Sequence, residues 1–171
     1  MEENMTTSRL NEWLTLLTNV AVVAGIVFLA WEIQQNNDLL KSESRQALIS
    51  NDQTSLLVAL ENVDIFQKLG QKEPLSAEDQ YRLSFIYIVD LRNREFEYFQ
   101  YENGLLDEET WVSYRNILVF NHSTPRGRAW WEKVGRTIVH PDFAAMIDEI
   151  LAESPIIDIY DVAGNWDRGL D

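Results

Sequence analysis

Residues 13–31 read WLTLLTNVAVVAGIVFLAW, a run with neither a charged residue nor a proline. About 19 residues at about 1.5 Å rise make a helix of roughly 28 Å, close to the roughly 30 Å of a bilayer's hydrocarbon core. Trp13 and Trp31 close the run at its two ends, where an amphipathic indole prefers the headgroup region, and charge resumes at once with Glu12 and Glu32. A buried core helix rarely needs so long an uncharged stretch. A cleaved secretory signal calls for a basic start and a shorter apolar region, whereas this chain begins MEEN. The run is therefore read as a retained transmembrane helix behind a short tail over 1–12. Arg9 precedes it and Lys41 and Arg45 follow it, a slight bias that predicts a cytoplasmic C-terminal domain.

Within the run, Thr18, Ala21 and Gly25 fall on one helix face. Small residues spaced by four let two helix backbones approach closely, which is how helices associate where lipid removes the hydrophobic driving force. A helix-helix interface at these residues predicts a homo-oligomer. An amide in hydrocarbon is costly without a partner, so Asn19 points the same way. The alternative is that Thr15, Thr18, Asn19, Val22 and Ile26 face the lumen of an oligomeric pore.

Beyond Trp31 no glycine or proline interrupts the chain until Gly70, so the membrane helix is expected to continue as a polar exit helix over 32–47. A helical soluble domain is expected over 32–153. From Ala47 onward Leu48, Ile49, Leu56, Ala59, Leu60 and Val63 recur at helical spacing. Asp64 is read as the cap of a short turn ending at Gly70. Ser76-Ala-Glu-Asp resembles a capping box and opens a long helix that Gly104 terminates. Asp107, Thr124-Pro125 and His140-Pro141 each open a further helix. The fold class is thus all-α: one N-terminal transmembrane helix continuing into a compact bundle of about four to five helices. Residues 154–171 lack clear periodicity and read as an acidic tail, free or strapped to a neighbouring subunit.

Composition narrows the partners. With 14 basic against 28 acidic residues the net charge is −14, which repels phosphate backbones and excludes nucleic acid. The absence of cysteine removes thiolate nucleophiles, iron-sulfur clusters and Cys-ligated zinc. His122 and His140 both stand at predicted helix ends and are assigned capping or surface roles. The string Asp90, Arg92, Arg94, Glu95, Glu97, Glu102 is explained by ion pairing along a helix, Asp90 with Arg94, more simply than by paired-carboxylate catalysis. No phosphate loop, nucleophile elbow or zinc-protease motif is present. Catalytic, cofactor-binding and metal-ligating residues are therefore not expected. In PRGRAWWEKVGR, the basic Arg126, Arg128, Lys133 and Arg136 surround Trp130 and Trp131, a composition suited to an anionic headgroup layer, with a packed core as the plainer reading.

The order EIQQNN, REFEYFQYENGLLDEETW, RAWWEK and HPDFAAMIDEIL is similar to a group of small bacterial proteins with a membrane helix and an all-helical soluble domain, to which no activity is attached. The resemblance covers the chain to about Leu151 and implies a bacterial, membrane-anchored, helical protein; the inner membrane is the expected location. The expectation is a non-enzymatic, homo-oligomeric, single-pass assembly or partner-binding module, with membrane lipid and an unidentified protein as partners. A pore is the alternative, and a membrane-proximal enzyme a distant third.

Overall fold

The computed structural model describes residues 2–157, 159–167, 169 and 170, with the backbone alone for 2–6, 8 and 161. Among them the chain is all-α, with seven helices and no strand. It forms two compact units, Met1–Glu43 and Ser44–Asp171.

The quoted run lies inside α1 (Glu2–Glu61), which nothing in its sequence breaks. From Arg9 onward α1 is long and apolar enough to cross a membrane by length and composition. Thr15 and Thr18 donate their hydroxyls to the carbonyls of Asn11 and Leu14, each at 2.8 Å, so both are satisfied within their own helix. Every described side chain before Ser44 is exposed.

The second unit holds the end of α1 followed by α2 (Val63–Gly70), α3 (Ala77–Glu102), α4 (Glu108–His122), α5 (Pro125–Lys133), a 3-10 turn at Gly135–Thr137, α6 (Pro141–Glu153) and α7 (Ile159–Gly164). The punctuation follows local chemistry. Ser76 Oγ accepts from the Asp79 amide at 3.1 Å and the Asp79 carboxylate accepts from the Ser76 amide at 3.0 Å, closing the capping box. Asp107 accepts from Thr110 N and Thr124 from Gly127 N, while His140 Nδ1 accepts from Asp142 N. Gly104 ends α3 at φ +70°, where a side chain would be strained.

Asp64 departs from the expected cap. It lies within the first turn of α2, where it binds Arg82 through two contacts of 2.9 and 3.1 Å, and Asn62, before the helix, makes no side-chain cap bond.

The C-terminal stretch also differs from the expected tail. Residues 159–164 form α7, which packs on α2 and buries Tyr160 among Ile65, Leu69 and Leu83. Asp158 and Asp171, on which the acidic character partly rests, lie outside the described residues, as does the side chain of Asp161. Among the described residues six helices follow α1, close to the expected four to five, the two shortest being α2 and α7. The larger core, Leu91, Leu118, Trp131, Phe143, Ile147 and Leu151, joins α3, α4, α5 and α6.

Candidate functional site

Three helices of the Ser44–Asp171 unit frame an open cleft. α3 supplies its floor, the 52–59 stretch of α1 and the 116–121 stretch of α4 its walls, and Phe66 and Tyr160 complete the lining. Specific bonds hold this arrangement: Asn93 Nδ2 donates to Ser55 Oγ at 2.6 Å, joining α3 to α1, and Asn121 Nδ2 donates to Asp90 at 2.9 Å, joining α4 to α3. The cavity measures about 730 Å³, within the range of small-molecule sites. Leu56, Ile86, Val89, Ile117 and Phe120 make most of its surface hydrocarbon.

At the floor Arg94, 1% exposed, meets three carboxylates. Its Nη2 lies 2.8 Å from Asp52, its Nη1 2.9 Å from Glu97 and its Nε 3.6 Å from Asp90. The guanidinium also sits 5.1 Å from the ring centroid of Tyr114. Asp90 and Arg94 form the ion pair expected from their spacing, but inside the fold and shared with Asp52. One guanidinium thus serves three carboxyl groups. Burial pushes the Glu97 carboxyl up to about 8 against the pull of Arg94, and burial likewise raises Asp90. Glu95 belongs elsewhere: it binds Arg92 and accepts from the His140 amide.

His122 is the second buried ionisable group without an adequate partner. It is fully buried, parallel to Trp130 at 5.7 Å between centroids, with Tyr87 and Trp131 also in ring contact. Neither ring nitrogen has a hydrogen bond, and desolvation lowers its pKa to about 4, so it is neutral at pH 7. This corrects the capping or surface role assigned from position: His122 does end α4, but α5 folds back over it. Gly127 permits that return, since a Cβ there would stand 2.5 Å from the Asn121 carbonyl oxygen. His140, in contrast, is exposed and caps α6 as expected.

In the Met1–Glu43 unit, Thr15, Thr18, Asn19, Ala21, Val22, Gly25 and Ile26 are all exposed. Asn19 lines a shallow groove with Val20, Val23 and Ala24, and a Cβ added at Gly25 meets nothing within 4 Å. The basic-aromatic segment divides. Trp131 is buried and donates to Asp148, and half-buried Trp130 donates to Ser84. Arg128 donates to the carbonyls of Leu151 and Ser154, Arg136 pairs with Asp148 at 2.7 Å, and Arg126 and Lys133 are exposed.

The cleft and its ion cluster escaped the sequence reading, although a signal was present. On α3 the apolar positions Leu83, Tyr87 and Leu91 set a buried stripe, and Asp90, Arg94 and Glu97 continue it at intervals of three and four. Charges in register with a core stripe mark a buried network.

No match is found for this chain among protein-family models, curated proteins or solved structures.

Proposed function

We propose that this chain is a non-enzymatic, single-pass membrane protein that self-associates through its span and carries a helical binding domain. The observation behind this reading is that α1 bears the uncharged 13–31 run while no described side chain before Ser44 is covered by its own chain. So much bare hydrocarbon is unfavourable in water and demands lipid or other copies around it. Thr18, Ala21 and Gly25 supply a face on which two copies can approach, and the bacterial inner membrane, with the domain cytoplasmic, is the setting consistent with the charge bias and the resemblance. An open, largely hydrocarbon cleft supports binding rather than catalysis as the domain's task.

Membrane fractionation followed by sodium carbonate extraction tests the anchor, and sedimentation of the full chain in detergent tests the association. The expected outcome is a carbonate-resistant pellet and a multimer that Gly25→Leu dissociates. A chain recovered in the supernatant, or a monomer unaffected by that change, would overturn the reading.

A further inference from the structure

Within the Ser44–Asp171 unit α1 is apolar on two sides. Its inner side is fastened to the domain: Leu48 is 1% exposed in the core, Ser44 donates to Gln100 Oε1 at 2.9 Å, and Ser55 accepts from Asn93. On the side turned away, Ile49, Leu56 and Leu60 stand 58%, 64% and 68% exposed, with Leu57 beside them and the exposed Gln53 among them. A helix that packs on one side only carries polar residues on the other, so hydrocarbon there marks a neighbour that the chain itself does not supply.

The spacing says what kind of neighbour fits. Ile49, Gln53, Leu56 and Leu60 follow one another at four, three and four residues, the alternation of a coiled-coil seam, in which a polar residue such as Gln53 fixes the register. Gln53, Leu56 and Leu60 each stand 35 residues, five repeats of seven, after Thr18, Ala21 and Gly25. The face on which copies approach within the span and the bare face of the later stretch therefore share one repeat along one unbroken helix. From Thr18 to Leu60 only Glu32 brings a charge onto that repeat, while Asp38, Lys41, Glu43, Arg45 and Asp52 all fall off it. A lipid surface or an unrelated protein gives no reason for the two sets to agree in register. A second copy does, because chains inserted in one orientation run parallel and set each residue of the repeat against its own counterpart. A straight helix drifts about 20° per repeat, so both sets stay in contact when the two helices wind into a left-handed supercoil.

We propose that a second copy of this chain covers the seam of Ile49, Gln53, Leu56 and Leu60, in a parallel, left-handed coiled coil of two α1 helices. This inference rests on the self-association proposed above and names the surface that continues it outside the membrane.

The chain contains no cysteine, so single cysteines report the contact directly. Leu56→Cys, Leu60→Cys and, exposed but off the seam, Thr54→Cys are each placed in the full chain in isolated membranes, oxidised with copper phenanthroline, and read as disulfide-linked dimer on denaturing gels. A disulfide needs Cα atoms within about 7 Å, so the two seam positions should cross-link about 10-fold faster than Thr54→Cys or more. Adding Leu60→Glu to Leu56→Cys sets like charges against each other across the seam and should slow its cross-linking about 10-fold. All these positions are exposed, so the domain keeps its fold in each variant. Equal rates at the three positions, or a Leu56→Cys rate unchanged by Leu60→Glu, overturns the proposal. So does quenching of a fluorophore on Leu60→Cys by brominated lipid, which would show the seam lying on the bilayer. If the chain still sediments as a multimer that Gly25→Leu dissociates while the seam cysteines react no faster than Thr54→Cys, the seam is wrong and the span contact stands; a chain that sediments as a monomer removes both.

Discussion

The phenolic oxygens of Tyr87 and Tyr160 lie 2.9 Å apart across 73 residues of chain, tying the C-terminal helix α7 to the middle of α3. Both rings are buried, and desolvation raises the pKa of each hydroxyl, so the pair is neutral and hydrogen-bonded at any ordinary pH. Tyr160→Phe removes one hydroxyl and should cost about 1 kcal/mol. Tyr160→Ala also empties a place beside Ile65 and Leu69 and should cost about 3 kcal/mol or more. Thermal unfolding in detergent, followed by near-ultraviolet circular dichroism, distinguishes the two. Equal, negligible losses would mean that α7 does not contribute to the fold.

His122 makes the domain sensitive to acid. Its folded pKa of about 4 lies below the ordinary 6.5, so between these values the unfolded chain takes up a proton that the folded one refuses. Stability is therefore fully present above about pH 6.5 and lost as pH falls towards 4, to an extent of about 3 kcal/mol. His122→Phe keeps a ring against Trp130 and removes the titration. The variant should match the parent at pH 8 and exceed it at pH 5 in melting temperature. If the two chains lose stability in parallel on acidification, His122 is not the responsible group.

Most of the architecture was legible because helix ends are written in local chemistry. Ser76 with Asp79, Asp107, Thr124-Pro125 and Gly104 each act within a few residues, and each does what its type implies. Asp64 shows the limit of local reading, since its partner Arg82 is 18 residues away and belongs to another helix. α7 was illegible for a related reason. Among its described side chains only Tyr160 is deeply buried, and a six-residue helix carries too few apolar positions to show a period. His122 was misplaced because position in the chain located its helix end without revealing that α5 would cover it. Gly127, which permits that cover, reads in the sequence as an ordinary glycine within a helix.

The ion cluster carries a prediction of the opposite sign to that of His122. The Glu97 pKa of about 8 lies above the ordinary 4.5, so the folded state retains a proton that the unfolded state releases. Its contribution is most favourable below about pH 4.5 and is progressively lost as pH rises to about 8. Glu97→Gln should flatten much of that decline, leaving the part due to Asp90, whose pKa is also raised. Arg94→Leu strands the carboxylates and should cost about 3–5 kcal/mol near neutrality. Urea titrations of the three chains at pH 5, 7 and 9 measure both effects. A Glu97→Gln chain with the parent's pH slope would show that Glu97 is already ionised in the fold.

Arg128 and its basic neighbours separate a structural role from a lipid-facing one. The Arg128 guanidinium donates to the carbonyls of Leu151 and Ser154 at 2.6 Å each, at the C-terminal end of α6, where helical carbonyls lack partners and the dipole favours a cation. Arg128→Ala should therefore destabilise the domain by about 2 kcal/mol in any lipid. Arg126 and Lys133 are exposed, so the double change Arg126→Ala with Lys133→Ala should shift stability by less than about 0.5 kcal/mol in neutral nanodiscs. Should this segment meet an anionic leaflet, lipid with negative headgroups will stabilise the parent in a salt-sensitive manner, and the double variant alone will lose that gain. Melting temperatures in neutral and anionic nanodiscs, at low and high salt, resolve the two roles. An Arg128→Ala chain as stable as the parent would remove its capping function, and a double variant with undiminished response to anionic lipid would remove the headgroup contact.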